Sequence, residues 1–544
     1  MRMRTVPFLL PLAVALAAVR AGAQSNQNPL MDVQVVQVRD FQVVGRAGTY
    51  PGGTNALSFE STVCNTGGVP IPWMAPMDPD HPKFAFLVAR EWNGRFEQIS
   101  DRSFVKHAVF AGNSSNCGRC TLPPGQIGQF LGVGCGDVYD AVINSNQYVL
   151  GPPDEVDPWL GEWARTCSHF DRGEPPVPPP FDCDDQRSLT QAQVALFSPV
   201  QHRLDVEDGA LDVTGATFHL QCHFVTAGEP EALRGDSLGS RRFSAVWDGT
   251  AWILAEVGAF QSGSVLERWT SALVDSATNG TDDGRVVVAV EVTGPTQGFY
   301  HYEYALQNRD NARGVRAFRI PSCPGARFKG FGFHDVDGDP ANDWTASVGA
   351  TEVAFETTAN PLRWNTIFNL WFDSDAAPEP ESATLEAFDP GAGNPAFLVP
   401  TSAPTGLYDA FLGAGCSRST PPSLYATGSP ARATLGNASF ALESAGNPAG
   451  AETVLYYGLA HESLALEGCT LWTGRGSRAF SGARADASGI AIHPVPIPSD
   501  PELEGLDVDF QCASFLREGG ALFGRIDLSD GLRVRVGNTI PACP

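Results

Sequence analysis

Lysine is nearly missing from this chain of 544 residues: only Lys83, Lys106 and Lys329 occur, and arginine carries almost all of the positive charge. The scarcity reads as genomic composition bias. Its consequence is physical, because 36 basic groups face 61 acidic ones and leave a formal net charge of −25. Such a surface excludes nucleic acid, whose phosphates need a basic partner. It also excludes anionic membrane surfaces, and it suits solubility and cation binding. Beyond the N-terminus no segment reaches 18 apolar residues, so no membrane-spanning helix is expected. Helical 3.6-residue periodicity never extends past about two turns; the best short candidates are Leu266–Val274 and Gln191–Leu196. Glycine-rich phosphate loops of the Walker or dinucleotide type are absent, as is an H-E-x-x-H string, since His461-Glu462 lacks the second His.

What is present begins with export. Arg2 and Arg4, an apolar run from Val6 to Val19, and the small residues Ala21, Gly22 and Ala23 follow the order of a secretory signal peptide. Cleavage is expected after Ala23, giving a secreted, extracellular or cell-surface protein, with the periplasm as the alternative, and no membrane attachment afterwards. The mature chain then needs two to four domains.

Strand signals dominate. Val33-Gln-Val-Val-Gln-Val38, Arg285-Val-Val-Val-Ala-Val-Glu-Val292 and Leu532-Arg-Val-Arg-Val536 alternate and are β-branched. The 57 glycines and 42 prolines punctuate the chain about every ten residues. The expected fold class is all-β: several β-sandwich domains (jelly-roll or Ig-like) in tandem with few short helices. Pro-rich Glu174–Phe181 reads as a linker or long surface loop, and Asp375–Ser382 with Pro400–Thr405 bracket a second transition. The expected divisions are a signal peptide at 1–23, a Cys-containing β domain at 24–185, a central sandwich at 186–400 and an accessory sandwich at 403–544.

Twelve cysteines in an exported chain imply disulfides. Local partners would be Cys167 with Cys183, Cys222 with Cys323, Cys416 with Cys469, and Cys512 with Cys543; the pairing of Cys64, Cys117, Cys120 and Cys135 stays open. Cys117-Gly-Arg-Cys120 has metal-knuckle or redox spacing, but it lacks a second C-x-x-C and a thioredoxin-like βαβ context, which favours structural bridges.

The third region resembles a C-terminal β-sandwich domain carried by many secreted planctomycete proteins, through Phe411-Leu-Gly-Ala-Gly-Cys416, Gly436-Asn-Ala-Ser-Phe-Ala-Leu442, Gly468-Cys-Thr-Leu471, Pro496–Gly505 and Leu528-Ser-Asp-Gly-Leu-Arg-Val534. The first two regions resemble an uncharacterised secreted family of the same bacterial group, through Gly94–Ile99, Gly134–Tyr139, Tyr302–Leu306, Gly332–Asp335 and Leu362–Trp364. The resemblance implies export and an accessory module, and it transfers no catalytic residue.

Several motifs carry a chemical reading beside a structural one. Gly235-Asp-Ser-Leu-Gly239 fits a nucleophile string, yet a polar loop precedes it where an elbow needs an apolar strand. His219-Leu-Gln-Cys-His223 puts two imidazoles on one strand face, either a metal pair or part of a half-buried strand. His81, His107 and His301 are scattered. Tyr300, Tyr302 and Tyr304 form either a sugar-stacking row or a core edge, and Trp247, Trp252, Trp364 and Trp371 are further platform candidates. The most informative string runs from Asp335 to Asp343: Asp335, Asp337, Asp339 and Asp343 around Gly338 resemble an extracellular Ca²⁺ loop without the Glu that an EF-hand needs at position 12, where Ala346 stands. An acidic turn is its structural alternative. The functional expectation is a non-enzymatic binding or structural protein that meets extracellular polysaccharide or cell-surface components. The alternative is a secreted polysaccharide hydrolase using a carboxylate pair; facing acids with shifted pKa values in a cleft would favour it.

Overall fold

A computed structural model describes residues 27–73, 77–122, 127–178, 182–280 and 283–538. The expected signal peptide lies outside these residues. The chain is all-β: strands paired antiparallel build several sheets, and the helices are single turns, including Gln191–Val194 and a 3₁₀ turn at Val265–Arg268 where short helices are expected. No helix among the described residues is long and apolar enough to cross a membrane.

The sheets stack in facing pairs. In the first pair, Val33–Ala47, Thr54–Asn65, Leu204–Glu207 and Gly136–Tyr139 face a seven-stranded sheet that includes Lys83–Trp92, Val105–His107, Thr217–Val225, Leu238–Trp247 and Trp252–Ser262. Phe59, Trp73, Phe84, Phe86, Phe218 and Phe224 fill the space between. In the second pair, a sheet around Arg285–Thr296, Phe299–Asn308 and Thr366–Ser374 faces one around Val315–Pro321, Ala377–Ala387 and Ala396–Gly406, over a core that includes Tyr302, Tyr304, Phe318 and Phe372. The third pair sets Glu452–Gly458, Asp507–Phe515 and Ile526–Arg535 against Ser423–Thr427, Ala441–Ala445 and Ala491–Pro494.

The divisions fall differently from those the sequence suggests. Lys83–Trp92 is hydrogen-bonded to Thr217–Val225 from Lys83↔Val225 to Glu91↔Thr217, so one sheet runs across the expected 185/186 boundary. The Pro-rich stretch is therefore a loop of the first unit, with residues 179–181 outside the described part. The proline-bearing segments 375–382 and 400–405 form much of an antiparallel hairpin, Pro378 opposite Pro404, and the second unit continues to Gly406.

The first two units are also welded face to face. Lys83–Ala89 is buried at every position: one side of this strand faces the first core, and the other is covered by first-unit loops around Lys83 and Ala85 and by the second unit at Leu87 and Ala89. Leu87, Ala89 and Phe96 pack there against Val265, Leu266, Trp269, Val287, Ala289 and Ile367. Several polar groups cross this seam: Asn365 Nδ2 donates to the Phe86 carbonyl at 2.7 Å, Ile367 N to Gln98 Oε1 at 2.9 Å and Val265 N to Gln221 Oε1 at 2.8 Å. Arg95 makes a two-pronged pair with Glu303 at 2.8 and 3.0 Å while lying over the Trp371 ring.

Disulfides join Cys64 to Cys117, Cys120 to Cys135, Cys167 to Cys183 and Cys416 to Cys469. The C-x-x-C pair thus serves two separate structural bridges. Two expected pairings are corrected: Cys222 and Cys512 are free, buried thiols. Each sits on a central strand and points into a core, with no exposed backbone to bring a partner alongside; Cys543 lies outside the described residues. Titration of the oxidised, denatured protein with a thiol reagent should find two reactive groups, mapped by alkylation to Cys222 and Cys512, and the native protein should be nearly inert. Reaction of either thiol in the native state at the denatured rate would contradict this burial.

Candidate functional site

The acidic loop follows the strand Phe328–His334 and closes on itself. Asp335 Oδ1 accepts from Asp337 N and Gly338 N at 3.1 and 3.3 Å, Asp337 Oδ1 from Asp339 N at 2.7 Å, and Asp339 Oδ1 from Ala341 N at 3.0 Å. Gly338 holds φ +66°, a conformation that glycine adopts without strain. The second oxygens of Asp335 and Asp337 accept from Asn360 and Asn342. The Asp343 carboxyl is raised, first by desolvation and then by Asp335 and Asp337.

The four expected ligands do not converge. Asp335 and Asp337 line a cavity of about 440 Å³ that they share with Asp101, Asp205 and Glu207 of the first unit, whereas Asp343 lines a separate one beside Arg319 and Glu356. In the shared cavity Asp205 N donates to Asp101 Oδ1 at 3.0 Å. Burial and then the Asp101 charge push the Asp205 carboxyl up to about 8. Desolvation raises the Asp101 carboxyl as well, to about 7. Asp205 Oδ1 is buried without a hydrogen-bond partner. The sequence gives no sign of this pair, because the two residues are 104 positions apart.

Most other candidates take structural roles. Ser237 is fully buried and donates to the Val33 carbonyl at 3.0 Å and to Glu229 Oε2 at 2.9 Å, so it closes a core network at the start of a strand. His219 and His223 do share a face, but that face is the seam between the units: the strand is buried on both sides, not half-buried. Burial pushes both imidazoles down to about 3, and no third ligand joins them among the described residues. Tyr302 and Tyr304 are core residues whose hydroxyls donate to the carbonyls of Ala376 and Ser402, so they form no exposed sugar platform. Trp252 and Trp364 are buried, and Trp247 stacks on Tyr50. His81 Nε2 meets His107 Nδ1 at 2.7 Å inside the first unit, while His301 lies apart with Asp373.

Sequence reading missed one cluster. His169, Glu174 and His202 place three donor atoms within 4.8 Å of one another. Glu174 and His202 stand 28 residues apart, with no spacing motif that could have joined them.

No family model matches the chain, and no curated protein matches it. Among solved structures, a D312A form of BcpA, the major pilin subunit of Bacillus cereus, aligns at 11% identity and TM-score 0.18 over 60% of this chain and 86% of that one. The T6 backbone pilin of Streptococcus pyogenes serotype M6 aligns at 9% and 0.18 over 85% and 79%. Escherichia coli α2-macroglobulin activated by porcine elastase aligns at 7% and 0.14 over 92% and 35%. At such scores none of these likenesses carries a functional argument.

The Ser237 network yields a pH test. Burial lifts the Glu229 carboxyl from its ordinary 4.5 to about 8. The folded state therefore holds this proton more tightly than the unfolded state, and the associated stability, complete at low pH, is lost as pH rises from 4.5 through 8. Glu229→Gln keeps an acceptor for Val33 N and removes the titration. Its stability relative to wild type, from urea denaturation, should climb across that window and then level. Ser237→Ala should cost about 1–3 kcal/mol and abolish no activity; labelling of Ser237 by a fluorophosphonate probe would overturn the structural role.

Proposed function

We propose that this is an exported, non-enzymatic β-sandwich protein acting outside the cell as a stiff structural or binding element, with extracellular polysaccharide or cell-surface components as its partners. The observation that carries this reading is the weld between the first two units: two central strands buried on both sides cannot pull away from the second unit without exposing the apolar layer around Leu87, Phe96 and Trp269. The disulfides Cys64–Cys117, Cys120–Cys135, Cys167–Cys183 and Cys416–Cys469 suit an oxidising compartment. The signal-like N-terminus and the resemblance to secreted planctomycete proteins support export.

Calcium belongs to the same reading. Acids of both units line one cavity, among them Asp101, Asp205, Asp335 and Asp337, and supply oxygen donors of the kind Ca²⁺ takes. A hydrolase remains the second reading, favoured by the Asp101–Asp205 pair in that cavity, whose shifted carboxyls are the feature a glycosidase acid needs.

Two measurements test these readings. Co-sedimentation of the mature protein with insoluble cell-wall and matrix polysaccharides should show retention without release of reducing ends; release that Asp205→Asn abolishes would replace the scaffold by the hydrolase. Melting in millimolar Ca²⁺ should exceed melting in EGTA, since a ligand selective for the native state contributes about 2.7 kcal/mol at a hundred times its Kd, and less nearer Kd. Asp337→Ala should remove most of that gain. An unchanged midpoint, with no heat on titration, would leave the loop an acidic turn.

A further inference from the structure

We infer that His169, Glu174 and His202 form a site for one borderline divalent metal ion of the Zn²⁺ class, clipping the disulfide loop 167–183 to the turn that precedes the strand Leu204–Glu207. His169 and Glu174 are carried by the loop that the Cys167–Cys183 bridge closes, His169 on the single-turn helix His169–Arg172 and Glu174 just after it. Backbone His169 N donates to Glu155 Oε1 at 2.6 Å, and Glu155 Oε2 is fixed by Trp163 Nε1 at 3.0 Å. His202 comes from the opposing turn, held by Gln147 Nε2 donating to the carbonyls of Ser198 and Gln201 at 2.9 and 2.7 Å.

The donor atoms already stand near coordination geometry. His202 Nε2 lies 2.7 Å and His169 Nδ1 3.9 Å from Glu174 Oε2. Bonds of about 2.0–2.1 Å in a tetrahedral site put ligand atoms about 3.3 Å apart, so small side-chain shifts seat the ion where His202 and Glu174 now share a proton. The other Glu174 oxygen is oriented by Gln201 Nε2 at 2.8 Å, the kind of outer contact that fixes a ligating carboxylate. Phe104 stacks on the His202 ring at 4.0 Å and sets its edge region toward His169, and Phe197 closes another side of His202. Glu174 is the most exposed of the three side chains, at 32%.

His169 is the residue that a plain hydrogen-bonded pair does not explain. Its side chain is 91% buried (9% exposed), its Nε2 has no hydrogen-bond partner, and its Nδ1 meets no carboxylate oxygen closer than 3.9 Å. An ion seated in the 3.9 Å gap would join Nδ1 to Glu174 Oε2. Two imidazoles and one carboxylate select Zn²⁺, Co²⁺ or Ni²⁺ over Ca²⁺, which takes oxygen ligands.

The test uses the full mature chain, stripped with a chelator and titrated with ZnCl₂ by calorimetry, and with CoCl₂ by visible absorption. One Zn²⁺ per chain should bind, undisturbed by millimolar Ca²⁺, and Co²⁺ should give a ligand-field band. His202→Ala should weaken Zn²⁺ by about 100-fold and Glu174→Gln by about 10-fold or more, with the Co²⁺ band lost in both. His461→Ala, at a histidine of the third unit, should change nothing. Glu174→Gln preserves size and hydrogen bonding, so it decides the matter if His202→Ala fails to fold. Absence of stoichiometric binding, or equal binding by wild type and both variants, would reduce the cluster to a buried His–Glu hydrogen bond.

Discussion

The structure depends on two adjacent central strands that are buried along nearly their whole length on both sides. Lys83–Ala89 and Thr217–Val225 pack inward on the first core and outward on first-unit loops and the second unit. Burial of a Phe or Leu side chain contributes about 1.5–3 kcal/mol each, and doubling the buried faces doubles the apolar surface removed by the same strands. The demand on polar groups rises with it. Gln221, on the outward face, therefore bonds to Val265 N and Gln307, and Glu303 is matched by Arg95. Removing one such partner would leave the other buried and unsatisfied, which is the expensive outcome.

This arrangement explains where chemistry collects. Strand centres are committed to packing, so histidines there are neutral and inert. Unusual polar groupings occur instead where loops of separate segments meet. The acidic cavity joins Asp205 of the first unit to the turn at Asp335, and the His169–Glu174–His202 cluster joins a disulfide-closed loop to a turn. Carboxylates at such junctions lose water, and Asp101 and Asp205 are raised chiefly by that desolvation, Asp205 also by the charge of Asp101. The two places differ in donor type: oxygen only in one, imidazole with one carboxylate in the other.

By itself the sequence determined the fold class, because period-2 alternation and frequent turn residues act locally. It also determined the Cys167–Cys183 and Cys416–Cys469 bridges, and it marked the Ser237 string as structural through its missing apolar strand. It was misled where a local pattern has two tertiary meanings. A proline-rich stretch reads alike as a linker or as a loop inside one sheet, and only the pairing of 83–92 with 217–225 decided between them. His219, Gln221 and His223 alternate with apolar residues as a solvent-facing row would, yet a second sheet covers them. The pairs Asp101–Asp205 and Glu174–His202, and the free state of Cys222 and Cys512, depend on contacts between residues far apart in the chain. Side-chain periodicity records which way a residue points; what stands opposite it is set only when the sheets stack.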